Sequence, residues 1–140
     1  MNVRRKARET ALQVLYKIDI ADGGPPEVFG PEMEGLAPGT EARRYCELLV
    51  SGVVGHGREI DSVIEARSEN WTLERMAVVD RNILRLSVFE LLYTDTPYKV
   101  IIDEAVELAK RYGSEESSAF INGVIDKIRK DGDKTASTAS

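Results

Sequence analysis

Apolar residues recur along this chain at helical spacing. Ala7, Ala11, Val14 and Ile18 follow at intervals of four, three and four, and Leu15 widens the stripe. A period near 3.6 puts all five on one face, so the spacing predicts an amphipathic helix at the N-terminus. Lys6 and Lys17 point away from that stripe, while Arg5, Glu9, Leu12 and Tyr16 line a flank. The pattern stops in ADGGPPEVFGPEMEGLAPGTE, residues 21–41, which is rich in proline and glycine and holds acids but no base. Proline blocks helix interiors, so a long mobile loop is expected.

Thr40 is a candidate N-cap for a helix through EARRYCELLVSGVVGHG, with Tyr45, Leu48, Leu49 and Val53 as its apolar face. Gly52, Gly55 and Gly57 follow no strand and precede no Lys-Ser/Thr pair, so close packing or fraying explains them better than a phosphate loop. A shorter helix carries Ile60, Val63 and Ile64, and a corner follows at Asn70-Trp71-Thr72, with Thr72 a second candidate cap. From Val78 to Tyr93 nearly every side is apolar, the pattern of a buried central helix with Arg81, Arg85 and Glu90 at its margins. Pro97 introduces a helix with Ile101, Ala105, Leu108 and Tyr112 on one face, and Gly113 is placed to end it in the left-handed conformation. Ser114 is the expected cap of the last helix, with Glu115 and Glu116 in its first turn and Ile121, Val124, Ile125 and Ile128 as its stripe. No run shows the period of strands. The expectation is an all-α domain of about seven helices over residues 1–130, then a disordered tail, DGDKTASTAS, over 131–140.

Composition narrows the class. A chain of 140 residues with 42% apolar and 31% charged residues is long enough for a core without a metal or disulfide staple. No apolar run approaches the ~20 residues that span a bilayer. Glu9, Thr10, Gln13 and Lys17 interrupt the apolar stretch that a signal peptide needs. Cys46 is the single cysteine; it excludes an internal disulfide and fits a reducing cytoplasm.

Candidate catalytic groups are few. His56 is the one histidine, and ten residues of helix would separate it from Cys46 by about 15 Å. A lone Cys and His make no structural zinc site. Asp103-Glu104 and Glu115-Glu116 are adjacent in sequence and diverge on a helix. No nucleophile elbow, HExxH or glycine-rich phosphate loop is present. These absences point to a binding protein that uses no cofactor, rather than to an enzyme.

Charge supplies the positive signal. The net charge is −5, yet Arg4, Arg5, Lys6 and Arg8 put +4 in the first eight residues, so the other 132 carry −9. Arginine forks onto phosphate and stacks on bases, and an aromatic on the same flank, Tyr16, completes a plausible single-strand RNA platform. Four phosphate contacts would give a salt slope of only about −3. The patch therefore needs a second surface or a partner protein to bind tightly.

Three stretches together resemble the NusB family of transcription antitermination factors. RRKARETALQVLY (4–16) resembles its arginine-rich opening helix, DRNILRLSVFEL (80–91) its central helix, and PYKVIIDEAVELAKRYGSEESSAFINGVIDKI (97–128) its C-terminal signature. The resemblance implies an all-helical fold of two small bundles. It implies partnership with the ribosomal protein NusE, joint binding of boxA RNA, and antitermination on ribosomal RNA operons with other Nus factors and RNA polymerase. It places Arg4, Arg5, Lys6, Arg8, Arg81 and Phe120 at the RNA, and Tyr16, Asp80 and Glu116 at the partner surface. Lys6 stands where arginine is frequent and keeps the charge without the fork. An acidic docking face on the central helix, beside a basic RNA edge, would suit two oppositely charged partners. Two other readings compete: a helical adaptor without specific RNA recognition, and a free-standing relative of the NusB-like domain found on RNA cytosine methyltransferases.

Overall fold

A computed structural model describes residues 3–21, 33–68 and 72–139, with side chains through 130. The described residues carry these elements: α1 (Val3–Ile20), α2 (Glu41–Gly55), α3 (Gly57–Arg67), a 3-10 turn Leu73–Arg75, α4 (Val78–Tyr93), α5 (Tyr98–Tyr112) and α6 (Ser117–Ala139). No strand occurs among the described residues. The expected loop over 22–32, the corner at 69–71 and the side chains of 131–140 lie outside the described residues.

α4 is the axle. It touches all five other helices, while α1 packs chiefly on α2 and α5 chiefly on α6. This is the two-bundle arrangement, with α4 shared. Ile83, Leu84, Leu86, Val88 and Phe89 are buried on several sides of it, as its unbroken apolar sequence predicts. The stripes of α1 and α6 close on this axle: Ala7, Ala11, Val14 and Leu15 from one, Ile121, Val124, Ile125 and Ile128 from the other.

Several local expectations need correction. The second part of the 21–41 segment is not a loose loop: Met33 and Leu36 are buried in the core, and Arg43 donates to both their carbonyls at 3.4 and 3.2 Å. Gly113 is not left-handed; its φ is −97° and ψ −167°. Glycine suits the position because a Cβ would stand 2.7 Å from the Ser117 Cβ and 2.8 Å from the Ala109 carbonyl oxygen. The last helix begins at Ser117, so Glu115 and Glu116 sit in the turn before it. Ser117, not Ser114, offers the side-chain oxygen, accepting from the Ser114 N–H at 2.9 Å. Glu90, expected at a margin, is buried.

Candidate nucleic-acid interface

Side chains of α1 and α5 meet at two levels. Arg5 Nε donates to Glu104 Oε2 at 3.0 Å near the start of the pair. One helical turn further on, Arg111 and the Tyr112 hydroxyl both donate to Glu9 Oε2, the hydroxyl at 2.9 Å. Burial and the Glu9 hydrogen bond together raise the Tyr112 pKa above its ordinary value. A polar groove of about 290 Å³ lies between the helices, with Arg5, Glu9, Glu104, Lys110 and Arg111 on its walls. An apolar hollow of about 430 Å³ is lined by Leu12, Tyr16, Val79 and Tyr112. Asp80, next to Val79, lines a third cavity of about 310 Å³ together with Arg75, Met76, Ala77, Glu116 and Phe120. Tyr112 lines the apolar hollow and donates to Glu9 of the polar groove, and the neighbours Val79 and Asp80 at the start of α4 line the hollow and the third cavity respectively.

The expectation of four phosphate contacts from the N-terminal cations is not met at Arg8. Its side chain is 3% exposed, and its Nε and Nη2 each stand 2.8 Å from an oxygen of Glu90. The Tyr45 hydroxyl donates to the same carboxylate. Burial alone would push the Arg8 guanidinium down, but the hydrogen bonds and charge of Glu90 outweigh it and hold the group above its ordinary value. Breaking such a buried pair from one side costs about 3–5 kcal/mol. Arg4 and Arg5 reach the surface at 44% and 47% side-chain exposure, and Lys6 is exposed. Arg4 lies 4.3 Å over the Tyr45 ring and 3.4 Å from Glu41, so it too is partly engaged.

Arg81 also turns inward. Its Nε and Nη2 both donate to Asp19 at 2.7 Å, and Nη1 donates to the Leu73 carbonyl at 3.1 Å. Arg85 joins Asp19 to Asp61, so this cluster straps α1 and α3 onto α4. The fork assigned to RNA is occupied by the chain's own carboxylate.

The residues at the far end converge. Phe120 is half-buried, Glu116 is exposed, and Asp80 is 9% exposed. Asp80 Oδ1 is the one buried side-chain polar atom among the described residues without a hydrogen-bond partner. A buried acceptor left unmade costs about 1–3 kcal/mol. Asp80 and Glu90 are the acids of α4. Neither forms the expected open acidic docking face, because Glu90 is internal and Asp80 looks into a cavity.

Arg75, Tyr112 and Glu104 were not anticipated as parts of this site, and the partners of Glu9 were not either. Glu9 and Arg111 are 102 positions apart, and no local pattern joins them. His56, by contrast, sits exposed at the break between α2 and α3, stacked on Tyr93 with ring centroids 4.0 Å apart, in keeping with the helix-end position. The Cys46 thiol is pushed up to about 11, first by burial and then by the Glu47 charge, so it is no nucleophile at neutral pH.

The family model described as the NusB family matches residues 5–130. The chain belongs to the NusB family. It is 54% identical over 126 residues to the transcription antitermination protein NusB of Anaeromyxobacter dehalogenans, covering 89% of each chain. Among solved structures, NusB of T. maritima superposes with a TM-score of 0.84 at 35% identity, covering 91% of this chain and 90% of that one. The NusB chain of a crystal structure of antitermination factors NusB and NusE in complex with dsRNA gives 0.84 at 36% identity, covering 93% and 98%. By family this chain is a transcription antitermination factor and not an enzyme. No helix among the described residues is long and apolar enough to cross a membrane.

Proposed function

We propose that this chain binds boxA-type nascent RNA together with the ribosomal protein NusE. With other Nus factors and RNA polymerase, the pair supports antitermination of ribosomal RNA transcription in the cytoplasm. The observation that carries the reading is membership of the NusB family over residues 5–130. Arg4, Arg5 and Lys6 are exposed and add charge to a binding surface, Tyr16 lines an apolar hollow, and Asp80, Glu116 and Phe120 line one cavity. A relative of the same fold occurs with NusE and dsRNA in one crystal.

The roles combine chemistry with the family resemblance. Arg4, Arg5 and Lys6 carry the charge that meets phosphates, and Phe120 offers an aromatic ring for base stacking. By the resemblance, Tyr16, Asp80 and Glu116 take the protein partner. Arg8 and Arg81, placed at the RNA by resemblance, serve inside the fold. Three phosphate contacts instead of four reduce the expected salt slope to about −2, so most of the affinity comes from the partner and the surface it completes.

Titration of a boxA-like RNA and a scrambled RNA, with and without NusE, at two salt concentrations tests this. The expected result is a preference for boxA that strengthens when NusE is added. Binding that is salt-sensitive but blind to sequence, with NusE making no difference, would leave only the adaptor reading. That reading draws support from the acids that already engage Arg5 and Arg111.

A further inference from the structure

We propose that Arg8 is a positioning residue for the RNA edge: buried between Glu90 and Glu104, it fixes the carboxylate that aims Arg5, and it does not touch RNA. The inference rests on the reading that Arg5 faces phosphate.

The geometry is a relay. Glu90 takes two hydrogen bonds from the Arg8 fork at 2.8 Å. Arg8 Nη1 lies 4.0 Å from Glu104 Oε1, and Glu104 Oε2 accepts from Arg5 Nε at 3.0 Å. Arg8 therefore stands beside one oxygen of Glu104 and Arg5 holds the other. Glu104 has 8% side-chain exposure, Arg5 47%, so the ion pairs run from the core to the rim through one buried carboxylate. A phosphate could reach Arg8 only by displacing Glu90 and stranding a buried charge, which is strongly unfavourable. Fixing Glu104 from the inside keeps a long arginine side chain in one arrangement before RNA arrives. That reduces the ordering left to be done on binding.

The test compares wild type, R5Q, R8Q/E90Q and the variant combining all three changes. The paired amides of R8Q/E90Q replace the buried ion pair without leaving a lone charge. In the free protein, the Arg5 Nε–H should exchange with solvent several-fold faster in R8Q/E90Q, while the Arg81 Nε–H, held by Asp19 at 2.7 Å, keeps its rate. In RNA titrations, R5Q should lower the salt slope by about 0.7, and adding R8Q/E90Q to R5Q should lower it no further. An unchanged Arg5 exchange rate would overturn the proposal, since Arg8 would then be structural only. A second loss of about 0.7 in the combined variant would overturn it in the other direction, as direct phosphate contact. If wild type shows no salt-dependent RNA binding, the RNA reading fails, and the exchange measurement still decides whether Arg8 holds Arg5. Should R8Q/E90Q not fold, R8K, which keeps the charge and loses the fork, is read by the same exchange rates.

Discussion

Gly52 shows how a single residue is tied to its surroundings. An ideal Cβ built there would stand within 2.2 Å of the Phe89 ring atoms Cε1 and Cζ, so α2 can approach the centre of α4 only because this side chain is absent. Gly52→Ala should therefore destabilise the fold by about 1–3 kcal/mol through overpacking, measured by urea unfolding. A loss below about 0.5 kcal/mol would mean that the Phe89 ring turns aside freely, since substitutions away from such features stay within that range. The three glycines read as packing or fraying thus separate: Gly52 is the packing one, and a Cβ at Gly55 or Gly57 meets nothing within 4 Å. Sequence alone could not rank them, because the neighbour that decides is 37 positions away.

Individual helices differ in how their ends are held. Thr40, at φ −81° and ψ 160°, accepts from the Arg43 N–H at 3.3 Å, whereas Thr72 caps its turn without any side-chain hydrogen bond. Thr40→Ala should cost about 1 kcal/mol, and Thr72→Ala a few tenths at most. Thermal unfolding of the two variants side by side checks this, and equal losses would mean that the Thr40 bond is too long to count. Helix existence and type were legible from period and punctuation. The ends were less so, as the start of α6 shows: a cap is a matter of geometry, and Ser114 and Ser117 are alike as residues.

The whole molecule is strapped by charges as well as packed. Asp19 at the end of α1 accepts from Arg81, Asn82 and Arg85 on α4. Burial alone would raise its pKa, but these hydrogen bonds and charges bring it below the ordinary 3.8. A carboxylate depressed in the folded state adds stability above its unfolded pKa, and loses it as pH falls through the folded value. Asp19→Asn should therefore cost about 2 kcal/mol at pH 7, and the gap to wild type should narrow as pH drops below 3.8. Denaturant unfolding from pH 7 to pH 2.5 follows that gap; a constant difference would show that the charge of Asp19 is not what matters.

The sequence by itself determined the helices, the central place of α4 and the kinship, because each rests on local period or on motifs read along the chain. The resemblance put Phe120 at the RNA and Asp80 and Glu116 at the partner surface, and the fold brings all three around one cavity. Only the tertiary structure decided which cations face outward. Arg8 and Glu90 are 82 positions apart, Arg81 and Asp19 62, and whether a charged side chain meets water or a buried carboxylate depends on how helices roll against each other. Arg4, Arg5, Lys6 and Arg8 form one run in the chain. One helical turn after Arg4, its neighbour Arg8 lies inside the protein, because α4 and α5 bring acids to meet it there.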